Sequence, residues 1–265
     1  MEPSCFCSLA TNSAKYDTKL FLLSLSYFNP GSNVVLFVDD VIENFIHSDT
    51  ELNSLDLKLE LVVKLNDYTN KDRNQMEGDG IWNKFMLIKA DVIDYCLNKF
   101  PDVLFLDSDI FLLHKFTMPI DKNEYDLVLS PHYIGKWLSD RVGYFNGGFV
   151  WTSNKLFTER WREHTVHSRY FEQASLENCA EEFKTFHLAE NYNFSWWRLD
   201  YSDENSTTIQ SYITYDDENI YYKQLPLIFV HTHFNQASLN NFNQLIISTL
   251  ENIPNKSYLL KLLTT

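Results

Sequence analysis

The sequence predicts an α/β fold, a mainly parallel central sheet flanked by helices. Three observations carry that expectation. Apolar runs of strand length recur through the first half, an amphipathic segment of helix length separates two of them, and carboxylates stand where the runs stop.

Residues 4–10, SCFCSLA, read as a short apolar strand, and 17–28, DTKLFLLSLSYF, as a helix apolar nearly all round and therefore buried. NPGS at 29–32 breaks that helix. NVVLFVDD at 33–40 is β-branched and continuously apolar, as suits a strand covered on both faces, whereas LKLELVVKL at 57–65 alternates and belongs nearer an edge. After a polar loop, Ile81, Phe85, Ile88, Val92 and Tyr95 repeat at helical spacing across 81–100, the signature of an amphipathic crossover helix. It feeds a strand at 102–106, and strands joined through helices pair in parallel. Beyond this lie a strand near 126–130, a glycine-bearing strand at 144–154, helices near 155–170 and 172–184, a strand LPLIFVHTHF at 225–234, and helices near 237–250 and 256–263. With no repeat and no linker, a single domain over 1–265 is expected.

Composition narrows the partners. A chain of 265 residues, 45% hydrophobic, can fill a substantial core. Its net charge of -14 opposes association with nucleic acid or an anionic membrane face. No stretch approaches the roughly 18 apolar residues of a membrane helix, and no basic-then-apolar leader opens the chain, so no membrane insertion and a cytoplasmic location are expected. Cys5, Cys7, Cys96 and Cys179 lack metal-knuckle spacing and read as free, buried thiols.

The chemistry concentrates in DVLFLDSDIFLL, residues 102–113. Side chains two apart on extended backbone face one way, so Asp107 and Asp109 can reach a common point beyond a strand end. Ligands bind at the carboxyl ends of strands in such sheets, and Asp39 and Asp40 occupy a second such end. A hard divalent cation, Mn²⁺ or Mg²⁺, would answer two converging carboxylates and itself hold a diphosphate. Capping of a turn would explain the same two acids. His231 and His233, one residue apart after the run IFV, supply imidazoles suited to Mn²⁺-like metals, or are structural.

With these residues in view, the chain resembles the nucleotide-sugar glycosyltransferases of the GT-A (Rossmann-like) fold, and within them looks most like the glycogenin-like and galactosyltransferase-like retaining group. The resemblance rests on the order SLATN, LDSD, FNGGFVW, YFEQASLE and VHTHF. It implies a nucleotide-binding half (1–110) and an acceptor-side half (111–265), and that Asp107, Asp109 and His231 or His233 bind Mn²⁺ or Mg²⁺. It implies a donor site formed by Ala10, Thr11, Asp39, Lys84, Asp107, Ser108, Asn146, Gly147 and Gly148, with Glu172 and Gln173 near the anomeric carbon. Other readings of these residues stay open: Gly147 and Gly148 would also serve a bulge or close packing, Glu172 a helix start, and Lys84 a solvated helix face. The chain departs from the group's pattern in two places. FNQASLNNF follows VHTH where the group has a glycine and Lys-Pro-Trp, and Glu172 replaces the usual aspartate.

The function so implied is metal-dependent transfer of a sugar from a nucleotide diphosphate, UDP favoured, to a hydroxyl of a glycan or other acceptor. Gln173 suits retention, while Glu172 would suit inversion as a general base. One alternative is a non-catalytic, metal-dependent carbohydrate- or nucleotide-binding protein on this fold. Another, a sugar-phosphate nucleotidyltransferase, needs a glycine-rich loop after its first strand, and the first glycine here is Gly31.

Overall fold

The computed structural model describes residues 2–232 and 240–264. Strands β1 (Phe6–Ala10), β2 (Ser32–Val38), β3 (Leu57–Val63) and β4 (Val103–Leu106) pair in parallel, as the helix-linked apolar runs require. After β5 (Ile110–Leu112), the strands β6 (Leu127–Pro131), β7 (Phe145–Thr152) and β8 (Thr185–His187) complete a seven-stranded sheet in the order β3-β2-β1-β4-β7-β6-β8. Here β3 forms an edge, as its alternation predicts. Only β7 runs against its neighbours, pairing antiparallel with β4 and β6.

Helices cover both faces. Phe6 and Ala10 of β1 join a core with the helix Lys15–Phe28 and the C-terminal helices Asn240–Glu251 and Ser257–Thr264. Cys5, Cys7 and Leu9 face the opposite core, formed with the helices Trp82–Leu97 and Phe157–Thr165. All four cysteines are free and buried. Among the described residues, no helix is long and apolar enough to cross a membrane.

Several boundaries differ from the sequence reading. The helix expected near 155–170 ends at Thr165, and that near 172–184 divides into Phe171–Ala174 and Leu176–Glu182. Phe171 has φ +43°, which a bulky side chain adopts only when its surroundings impose it. The segment 225–234 is not one strand. After β9 (Phe194–Ser195) comes a ribbon of β10 (Ile213–Tyr215), β11 (Ile220–Tyr222) and β12 (Leu225–Pro226), and β13 (Phe229–His231) leaves it for a sheet of order β5-β13-β9. The apolar run is continuous, but the strands on either side of Leu227 and Ile228 pair with different partners. His233 lies outside the described residues.

Candidate active site

Pairing of β5 with β13 builds the centre of the site. Ile110 is opposite His231, and the Thr232 N–H donates to the Asp109 carbonyl at 3.0 Å. This register lays His231 beside Asp109, 122 residues earlier in the chain and directly before β5, with Nε2 2.7 Å from Asp109 Oδ1 and 4.0 Å from Asp107 Oδ2. Asp107 is held in turn by its N–H, which donates to the Gly148 carbonyl at 3.0 Å as β4 pairs with β7. One ligand atom from each of Asp107, Asp109 and His231 lies within 4.8 Å of the others. Ser108, between the two acids, is buried.

The sequence reading missed the cation that stands in this site. Lys89, only 3% exposed, places Nζ 3.1 Å from Asp107 Oδ1 and 3.1 Å from Glu172 Oε1, and donates to the Gly147 carbonyl at 3.1 Å. Burial acts to lower the pKa of this ammonium, but the attraction of Asp107 and then Glu172 prevails and raises it. Glu172 is itself buried and its pKa is raised, burial outweighing the attraction of Lys89. Lys84, on the same helix, is exposed. Five residues rotate a helix by about 140°, so the two lysines cannot share a face. The signal available in the sequence was the helix pattern itself, because Lys89 falls among buried positions beside Phe85, Ala90 and Val92.

Gly147 and Gly148 are required by close approach. A Cβ at 148 would lie 2.6 Å from Asp107 Oδ2, 2.7 Å from His231 Cε1 and 2.8 Å from Asn146 Oδ1; one at 147 would lie 2.8 Å from Glu172 Oε1. Gln173 is half-buried, its Oε1 accepting from the Gly147 N–H at 3.1 Å and its Nε2 donating to the Val142 carbonyl at 2.8 Å.

Asn146 is fixed from several directions. Its Oδ1 accepts from the Gly148 N–H and from Asn193 Nδ2, and its Nδ2 lies 3.3 Å from His132 Nε2. His132 Nδ1 is 3.1 Å from the Gly143 carbonyl, so this nitrogen carries the proton and Nε2 accepts from Asn146. Burial pushes the His132 pKa down to about 4, which keeps the ring neutral. Trp197 bridges the two histidines, its ring 5.6 Å from His132 and 5.0 Å from His231.

The remaining predicted donor residues sit at the strand ends, where they make contacts within the scaffold. Ala10 closes β1 opposite Val38, and buried Thr11 places Oγ1 2.9 Å from Ser13 Oγ. Asp39 is fully buried: Oδ1 caps the helix Asp40–Ser48 through the Ile42 N–H, and Oδ2 accepts from the Asn12 N–H, both at 2.9 Å. The donors Asp107, Asp109 and His231 supply two carboxylate oxygens and an imidazole nitrogen, a set suited to a hard or borderline divalent cation. Asp107 and Glu172 share one buried ammonium while Asp109 adds a further carboxylate beside His231, and a divalent cation would balance that excess of negative charge.

The sequence matches no protein-family model, and no curated protein is similar to it. Solved structures are. The glycosyltransferase GlyE of Streptococcus pneumoniae TIGR4 superposes with a TM-score of 0.59 at 14% identity, over 100% of this chain and 61% of that one. The galactosyltransferase LgtC, solved with donor and acceptor sugar analogs, gives a TM-score of 0.55 at 12% identity, over 92% and 96%. The chain has the GT-A fold. Another similar structure is mouse xyloside xylosyltransferase 1, with a TM-score of 0.51 at 12% identity, over 86% and 97%. The chain spans only 46% of a second, apo GlyE chain. On this GT-A framework the Asp107–Asp109–His231 cluster sits where β4 ends, the carboxyl edge at which parallel sheets present ligand sites.

Proposed function

We propose that this chain transfers a sugar from a nucleotide diphosphate, UDP favoured, to a hydroxyl of a glycan or other acceptor, with retention of anomeric configuration. The observation that carries the reading is the convergence of Asp107, Asp109 and His231 at the carboxyl end of β4 in a GT-A fold. These three residues would hold Mn²⁺ or Mg²⁺. Such an ion, when bound, neutralises the charge that grows on a leaving diphosphate.

The chain's own residues set up the rest. Lys89 fixes Asp107 and Glu172 and carries positive charge to the floor of the site. Gly147 and Gly148 let Asp107, His231 and Glu172 close directly onto the backbone of β7, which sets the positions of the proposed metal ligands. Gln173 holds that backbone through the Gly147 N–H. Inversion needs a carboxylate facing the acceptor hydroxyl, and Glu172, 2% exposed and bound to Lys89, does not face solvent. That burial supports retention.

A thermal-shift screen of nucleotide sugars with and without Mn²⁺ tests the reading. Stabilisation by a UDP-sugar should require the metal and disappear in Asp109→Ala. A response independent of metal, or unchanged in the variant, overturns the site, and metal-dependent binding without turnover on any acceptor points to the non-catalytic alternative. Anomeric NMR of the product reads the stereochemistry.

A further inference from the structure

A cavity of about 240 Å³ opens beside Arg198 and is lined in part by Tyr133, Glu190, Asp203, Glu204, Tyr222 and Lys223. Arg198 is an unusual wall. It is only 1% exposed, yet among the described residues its guanidinium forms no salt bridge with a carboxylate. Its donors go to the carbonyls of Glu190, Tyr192 and Asn193, its plane lies 4.7 Å from the Tyr133 ring and 5.2 Å from Phe194, and its Nε has no hydrogen-bond partner among the described residues. Such a group is normally satisfied, by solvent or by a ligand.

Two features connect this cavity to the candidate active site. An aromatic row runs from His231 through Trp197 (5.0 Å between centroids), Trp196 (6.1 Å) and Tyr201 (5.9 Å) to Trp137 (6.3 Å), which is 58% exposed. Gly135 then links Trp137 to the cavity wall. Its N–H donates to the Tyr201 carbonyl at 2.6 Å, and a Cβ there would lie 2.8 Å from Asp203 Oδ1 and 3.2 Å from Trp137 Cδ1. With no side chain at 135, the carboxylate and the indole flank one point at close range.

The chemistry selects a class of occupant. Lys223 lies 2.8 Å from Glu190 and 3.9 Å from Glu204, so the opposite charges largely offset one another. What the cavity offers is a mixture of donors and acceptors beside aromatic faces, suited to a neutral polyol, whose hydroxyls donate and accept at once and whose C–H faces stack on rings. A strongly charged ligand finds no matching excess of one sign.

We infer that this cavity and the Trp137–Tyr201 face form a remote subsite for an acceptor glycan, taking a neutral sugar residue beyond the one whose hydroxyl reacts. The inference rests on the transferase reading for the direction of the chain, and it makes the acceptor an extended oligosaccharide. Trp137 is exposed, so its removal should leave the fold intact.

The test titrates neutral gluco-, galacto- and xylo-oligosaccharides of increasing length into the full chain without donor or metal, read by saturation-transfer NMR and calorimetry. At least one oligosaccharide should bind more tightly than its monosaccharide, and about tenfold more weakly to Trp137→Ala and to Asp203→Asn. Asp109→Ala should bind it as the wild type does. If no sugar in the panel binds the wild type, if both subsite variants bind unchanged, or if spermine or an oligouronate is preferred, the subsite is overturned. Because this assay uses neither donor nor metal, its failure is separate from failure of the nucleotide-sugar screen.

Discussion

The Lys89 ammonium stands 3.1 Å from Asp107, although one leaves the middle of a helix and the other the end of a strand 18 residues later. Both Lys89 and Glu172 are buried, so breaking this group leaves acids in a low-dielectric site without their counter-charge. Lys89→Met should therefore cost about 3–5 kcal/mol of stability. Urea unfolding checks this, and adding Glu172→Gln to Lys89→Met should restore part of the loss by removing one of the stranded charges.

A methyl at position 148 would press on Asp107, His231 and Asn146 together. Gly148→Ala should cost about 1–3 kcal/mol through overpacking. More diagnostically, it should abolish the Mn²⁺-dependent rise in melting temperature with a UDP-sugar, because the methyl spreads two of the three proposed ligands. A wild-type rise in the variant would contradict this account of the glycine.

His132 predicts a pH dependence. Its folded pKa of about 4 lies below its ordinary value of 6.5 because burial disfavours the charged ring. Between those values the unfolded chain binds a proton that the folded chain does not, so stability is full above pH 6.5 and falls as the pH drops towards 4. The total loss is about 3 kcal/mol. His187, more exposed, is also lowered by its desolvation and adds in the same direction. Urea midpoints at a series of pH values should show the slope, and His132→Asn should flatten it.

Asp39 separates scaffold from donor binding. Its two oxygens cap the helix Asp40–Ser48 and hold the Asn12 N–H. Asp39→Ala should lose about 1–2 kcal/mol of stability by chemical unfolding. Asp39→Asn keeps one acceptor oxygen for the cap and should retain most of it. A UDP-sugar affinity that falls in the stable Asn variant would add a donor contact to the structural role.

Much of the site was legible because its residues stand at strand ends. Asp107, Asp109 and His231 each interrupt or close an apolar run, where local hydrophobic pattern already places a carboxyl edge. The glycine pair was visible too, although the reason for it was not: Asp107 and Glu172 come from distant segments, and only packing brings their oxygens against the backbone of β7. His132 carried no signal of this kind. It lies in the irregular stretch after β6, and its contact with Asn146 exists only once β6 and β7 pair across a register shift between Leu129 and Ser130.

The sequence by itself determined the α/β class, the edge position of β3, the buried helices and the acid pair at a strand's end, because each is written in local periodicity and in where it stops. The tertiary structure decided which lysine enters the site, the reversed direction of β7 and the partner of each acid. A period of 3.6 residues specifies a helix but not how it is rolled against a sheet, and that roll buries Lys89 while exposing Lys84. Likewise, pairing between β5 and β13 depends on a register between distant segments that no local pattern encodes, and through it His231 meets Asp109.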